Sequence, residues 1–179
     1  MRDALPADAG AIAAVGRVAF TQQYEGLVDP ANYTWAARQW YSDEAIEAAV
    51  EQAAEDPTAQ FLVAEHDGAI VGLLQYAERG PEPELHRIYV AREARGTGVG
   101  ALLMLELHAR LVPAREYVLV VVEGNSSAIR FYRRHGLRQE ATVSAHEYYR
   151  HTAGIVFPEQ AQDFRCAFMR HGLRTHAAS

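Results

Sequence analysis

The stretch Tyr117-Val118-Leu119-Val120-Val121-Val122-Glu123-Gly124-Asn125-Ser126-Ser127-Ala128-Ile129-Arg130-Phe131-Tyr132-Arg133-Arg134-His135-Gly136-Leu137 passes from an unbroken apolar run into a short polar helix and out again. The Val/Leu run from Tyr117 to Glu123 predicts a strand buried on both faces. Ser126 to His135 predicts a helix, and Gly136 stands where a glycine ends one. Upstream, Leu85 to Val90 predicts another strand. It is followed by Arg92-Glu93-Ala94-Arg95-Gly96-Thr97-Gly98-Val99-Gly100 and then by a helix from Val99 to Leu111, buried through Val99, Leu102, Leu103, Leu107 and Leu111. Strand, glycine loop, helix, buried strand and helix in that order point to an α/β layer domain around one sheet.

The remaining chain adds elements on either side. Asp8 is placed to cap a helix over Asp8 to Phe20, with Ala9, Ile12, Ala13, Val15, Ala19 and Phe20 at helical spacing. Tyr24 to Tyr41 is aromatic and irregular, with Asp29-Pro30 as a breaker. Ser42 is placed to cap a helix from Asp43 to Glu55. Phe61 to Glu65 and Ala69 to Ala77 predict a hairpin about His66-Asp67-Gly68. Leu137 to Val143 and Phe164 to Met169 predict the last strands. That gives six to seven strands and about four helices in one domain over residues 1–179.

Composition narrows the chemistry. The chain has 179 residues, 49% of them hydrophobic and 22% charged, which is a globular composition. Its net charge of −6 argues against non-specific nucleic-acid binding and favours a cationic small substrate. All 17 basic residues are Arg, so a Walker-type phosphate loop and a pyridoxal imine, both of which need Lys, are excluded. The longest apolar run is too short to span a bilayer, and the first residues lack the apolar run of a signal peptide. The single cysteine, Cys166, sits in an apolar strand and forms no internal disulfide, so a cytoplasmic location is the default expectation. His146 and His151 lack a familiar metal-ligand spacing, and no metal is expected.

The loop from Arg92 to Gly100 has the composition of a phosphate-binding loop; a glycine-rich turn without a ligand is its other reading. Alternate glycines expose backbone N–H groups, the following helix adds the positive end of its dipole, and Arg92 and Arg95 can reinforce both. Gly96-Thr97-Gly98-Val99-Gly100-Ala101 also satisfies a dinucleotide fingerprint, with Glu123 as a ribose-binding acid. Two features weigh against that oxidoreductase reading: five residues separate the loop from its strand, and too little chain follows for a doubly wound sheet.

The two motifs together resemble the GNAT superfamily of N-acetyltransferases. Arg95, Gly98 and Gly100 match its glycine loop; Asn125, Ala128, Phe131-Tyr132, Arg133-Arg134 and Gly136-Leu137 match its second motif, with Leu in place of Phe. Arg2, Ala4 and Asp8-Ala9 look like the family opening, although the first strand is confined to Met1 to about Leu5. The resemblance covers essentially the whole chain and implies a mixed sheet whose strands splay at an acetyl-CoA site. It implies that Arg95, Gly96, Gly98 and Gly100 hold the pyrophosphate, that Ile88 and Val90 offer backbone to the pantetheine arm, and that Asn125 contacts the same arm. Tyr132 takes the family's place for the acid that protonates the leaving thiolate; a packing or cofactor contact is its other reading.

An alkyl ammonium of pKa near 10.4 must lose a proton before it attacks a thioester. Glu84 and His86, two apart on one strand, face the same side and occupy places resembling the family's catalytic carboxylate or histidine. Ordered water is the third option for the base. Glu78 and Glu82 read as solvated charges. Tyr24, Tyr33, Trp35, Trp40 and Tyr41 form core or an acceptor pocket, and His146, Tyr148, Tyr149 and His151 fall in a late loop that can complete it. The resemblance therefore implies direct acetyl transfer to a primary amine, polyamine-like, amino-acid-like or a protein N-terminus, by a chain that could pair as a homodimer. A non-catalytic acyl-CoA sensor is the alternative of a different class.

Overall fold

The computed structural model describes residues 1–78, 82–111, 116–159 and 161–172. Its elements are β1 (Arg2–Asp3), α1 (Ala9–Tyr24), α2 (Pro30–Trp40), α3 (Asp43–Glu55), β2 (Gln60–His66), β3 (Ala69–Ala77), β4 (Glu84–Val90), α4 (Val99–Arg110), β5 (Tyr117–Val122), α5 (Ser126–Arg134), β6 (Leu137–Ser144), α6 (Ala145–Ala153) and β7 (Arg165–His171). The seven strands form one sheet in the order β1-β2-β3-β4-β5-β7-β6. Every neighbouring pair is antiparallel except β4 and β5. A single parallel pair is not the doubly wound sheet that a dinucleotide fold requires.

Two apolar layers cover the sheet. On one face Leu103, Met104 and Leu107 of α4 and Ile129 and Tyr132 of α5 pack against Leu62, Leu74, Tyr76, Leu85, Ile88 and Leu119. On the other, Ile12, Ala13 and Phe20 of α1, Ala36 and Ala37 of α2 and Ile46 and Val50 of α3 pack against Phe61, Val63, Leu73 and Tyr89. Each Leu, Ile, Val, Met or Phe side chain buried this way contributes about 1.5–3 kcal/mol. Cys166 lies buried with Val122 and Ala145, and burial pushes its thiol up to about 12, which suits a packed apolar residue.

Three expectations are corrected. The segment read as irregular, Tyr24 to Tyr41, contains α2: Asp29 caps it by accepting a hydrogen bond from the Ala31 N–H, and Pro30 occupies the first turn. Proline there loses no hydrogen bond and presets the helical φ, so Asp29-Pro30 starts a helix rather than breaking one. The late loop carrying His146, Tyr148, Tyr149 and His151 is the helix α6, capped by Ser144 and ended by Gly154 in the left-handed region. These two bring the helices from about four to six. Asp8 does not cap α1; its carboxylate accepts from the Leu5 N–H and pairs with Arg2. Ser42 does cap α3, accepting from the Ala45 N–H.

Candidate active site

β4 and β5 touch only where they start. Glu84 registers with Val118, the Val118 N–H donates to the Pro83 carbonyl at 2.9 Å, and no later residue of β4 pairs with β5. The strands splay beyond that point, as the resemblance implies. A cleft of about 720 Å³ fills the gap. Its walls include Ile88 and Val90 of β4, Arg95, Gly96 and Gly100 of the loop, and Asn125, Phe131 and Tyr132 from the second motif. Gln22, Gln23 and Leu27, from α1 and the turn after it, close one side. Sequence reading missed these three, because a polar helix face gives no sign of what it covers.

The glycine loop is open toward this cleft. Gly96 and Gly98 adopt φ of +80° and +93°, and a Cβ at either would meet nothing within 4 Å. The loop's own hydrogen bonds engage the N–H groups of Arg95 and Thr97; those of Gly96, Gly98 and Gly100 have no partner among the described residues. Unpaired donors at the start of α4 form a concavity suited to an anion. Arg95 is held at its edge by Nε donating to the Val90 carbonyl at 3.1 Å and Nη2 donating to Gln22 at 3.2 Å. Arg134 of α5, matched in the sequence only to the second motif, lines the outer side of the same loop. Asn125 is the N-cap of α5: its Oδ1 accepts from the Ala128 N–H at 3.1 Å and from the Ser127 hydroxyl at 3.0 Å. Its side chain also lines the cleft.

A second depression of about 360 Å³ lies at the other end of β4, lined by Trp40, Gln75, Glu84, His86, Arg87, Tyr149, Thr152, Ala153 and Ile155. Glu84 and His86 come together here, with Nδ1 of His86 3.7 Å from Oε2 of Glu84. Burial pushes the Glu84 carboxyl from its ordinary 4.5 up to about 7, and a hydrogen bond donated by Tyr148 limits the rise. Tyr148 thus stands beside Glu84, and Tyr149 packs on Trp40 with ring centroids 5.2 Å apart. Trp35 lies behind this wall, packed on Trp40 and Phe157. Tyr24 and Tyr33 line an almost filled apolar pocket between α1, α2 and α6. His151 lines neither opening, and the His146 ring stacks on Phe157 with centroids 4.3 Å apart.

A small cavity of about 30 Å³ shares Ile88, Tyr89 and Tyr132 with the large cleft and Trp40, His86, Arg87 and Tyr149 with the second depression. Tyr132 is therefore placed between the two openings. Burial, and secondarily Tyr41, raises its phenol well above the ordinary 10, so it stays protonated at neutral pH.

Strand β4 also carries a feature that alternation hides. Gln75 pairs with Arg87 and Tyr76 with Leu85, which makes His86 the extra residue of the β3–β4 register. This β-bulge turns Arg87 onto the face that Glu84 shares. There Arg87 donates from Nη1 to the Trp40 carbonyl at 2.8 Å and lies 4.9 Å over the Tyr41 ring.

Among the described residues no helix is long and apolar enough to cross a membrane, and no three His, Cys, Asp or Glu side chains are arranged to hold a metal ion. Glu78 accepts from the Tyr76 hydroxyl at 3.1 Å, and Glu82 pairs with Arg170 at 2.6 Å.

Comparison with known proteins agrees with this architecture. The chain superposes on the PaiA N-acetyltransferase of Thermoplasma acidophilum, solved in complex with coenzyme A, with a TM-score of 0.72 at 21% identity, covering 96% of this chain and 97% of that one. It superposes on a ribosomal-protein-alanine N-acetyltransferase of Brucella melitensis with a TM-score of 0.66 at 26% identity, covering 96% and 98%. A phosphinothricin acetyltransferase of Sinorhizobium meliloti, solved with acetyl-CoA, gives 0.67 at 22% identity, covering 96% and 86%. No curated protein sequence matches the chain. The model of the acetyltransferase (GNAT) family matches residues 21–137, from within α1 to the first residue of β6. With nearly two thirds of its length matched, including both motifs and the two splayed strands, this chain belongs to the GNAT family of acetyltransferases.

Proposed function

We propose that the chain, as one acetyltransferase domain, transfers the acetyl group of acetyl-CoA directly to a primary amine. The amine belongs to a small molecule, polyamine-like or amino-acid-like, or to a protein N-terminus. The observation that carries this reading is that Tyr132 lines both a cleft with unpaired loop N–H groups and the small cavity that separates it from a depression containing a buried carboxyl. Two structural neighbours were solved with coenzyme A or acetyl-CoA, which fits a cleft of this kind.

Acetyl-CoA, when bound, supplies an activated acyl carbon on a thiolate leaving group. The N–H groups of Gly96, Gly98 and Gly100, with Arg95, hold its pyrophosphate; the open edge of β4 at Ile88 and Val90, with Asn125, guides the pantetheine arm toward Tyr132. Glu84, with a pKa near 7, is matched to remove the ammonium proton at neutral pH, directly or through water, while His86 lies close enough to share that service. As the C–N bond forms and the C–S bond breaks, the nitrogen releases its second proton to solvent water, and Tyr132 gives its hydroxyl proton to the departing sulfur and later regains one from solvent.

Thiol release from acetyl-CoA, followed against a panel of amines, tests the reading. Amine-dependent release with a matching acetylated product is expected. Tight acetyl-CoA binding with no release for any amine would instead favour the non-catalytic sensor.

A further inference from the structure

Arg87 carries a positive charge in the wall of the second depression, and no carboxylate among the described residues pairs with it. Arg2, Arg17, Arg110 and Arg170 all lie within ion-pair distance of acidic side chains. Arg87 instead uses one N–H on the Trp40 carbonyl and rests on the Tyr41 ring. A guanidinium has five N–H donors in a planar fork that fits a carboxylate. Its neighbour across the ladder, Gln75, lines the same depression with Oε1 buried and unpartnered. Polar capacity on both strands is thus left unused at one spot. The bulge at His86 puts that spot on the face occupied by Glu84.

We infer that Arg87 receives a carboxylate of the acceptor, so that the acceptor is an amine that also bears a carboxylate, of the free amino-acid type. This rests on the acetyltransferase reading above and narrows it. The amine faces Glu84 and His86, and the carboxylate faces Arg87 with Gln75 beside it. A polyamine would bring a second ammonium toward an unneutralised guanidinium. A protein N-terminus would bring a peptide carbonyl where the carboxylate belongs.

The test is calorimetric titration of the CoA-saturated protein with matched ligands: free amino acids, their carboxamides and the corresponding decarboxylated amines. At least one free acid should bind tenfold or more tightly than its carboxamide. Arg87→Met should erase that preference without changing CoA affinity, and Arg87→Lys should keep part of it. Equal or tighter binding of carboxamides or amines, no binding by any acid, or a preference that survives in Arg87→Met would overturn the assignment. Thiol release measured with the same ligands separates the two readings. Acid-selective binding without acetyl transfer would refute the transfer reading and leave Arg87 as a carboxylate site. Transfer to diamines but not to acids would do the reverse.

Discussion

The Glu84 carboxylate and the His86 imidazole face one another across 3.7 Å at the end of β4 that still pairs with β5. Burial holds Glu84 near pH 7 in its proton affinity, so kcat/KM should climb with pH along a limb centred near 7. Glu84→Gln should remove that limb and lower kcat by about 10²–10⁴-fold. An unchanged profile in the variant would pass the base role to His86 or to water.

The same residue links pH to stability. Unfolded, Glu84 titrates near 4.5; folded, it titrates near 7, so the native state binds this proton more tightly. The group therefore favours folding below 4.5 and opposes it increasingly as pH rises to 7, by at most roughly 3 kcal/mol. Glu84→Gln should gain stability over the parent protein through that window. Urea titrations at pH 5 and pH 8.5 would show the gain at the higher pH.

Tyr132→Phe should lower kcat about 10- to 100-fold, within the range of one proton-transfer group, with acetyl-CoA affinity nearly unchanged. A large loss of affinity at constant turnover would make Tyr132 a binding contact only. Rapid-quench turnover beside calorimetry distinguishes the two.

Gly98→Val should abolish CoA binding. A Cβ at this position has open space, but φ of +93° is closed to a β-branched residue, so the loop must refold and withdraw its N–H groups. The thermal shift produced by CoA should vanish. A retained shift would remove the phosphate-loop assignment.

His108 should set part of the acid sensitivity. Burial, with the His171 and His135 charges as smaller causes, lowers it from 6.5 to about 4, and Tyr117 hydrogen-bonds Nε2 at 2.8 Å. A depressed histidine stabilises the fold above pH 6.5 and loses that contribution as pH falls to 4. His108→Gln should flatten the decline of melting temperature across this interval.

The periodic parts of the fold were legible. The Val/Leu run of β5 and the hairpin turn at Asp67-Gly68 follow from local pattern alone, and so does the apolar stripe of α4 except at Leu102, expected in it but 52% exposed. Helix α2 was hidden because it serves two neighbours: Ala36 and Ala37 are buried in one layer with α1, whereas Trp35 and Trp40 lie against Phe157. No single stripe results. Its start was nevertheless written in Asp29-Pro30, and that of α6 in the Ser144-to-Glu147 spacing of a capping box. In the site, the glycine loop and second motif lie where their spacing put them. Arg87 was missed because strict alternation assigns it to the face opposite Glu84, and nothing in the composition of β4 announces a bulge.

That bulge makes the character of the acceptor pocket a matter of counting. Were β4 to alternate strictly from Glu84, with every residue kept and no bulge, Arg87 would point into the layer where Leu85 packs against α4 and α5. The same letters would then build an uncharged pocket and a charged core. Grafts, insertions or sequence alignments that shift β4 by a single position would exchange inside for outside, so redesign of this pocket has to preserve arithmetic before it preserves chemistry.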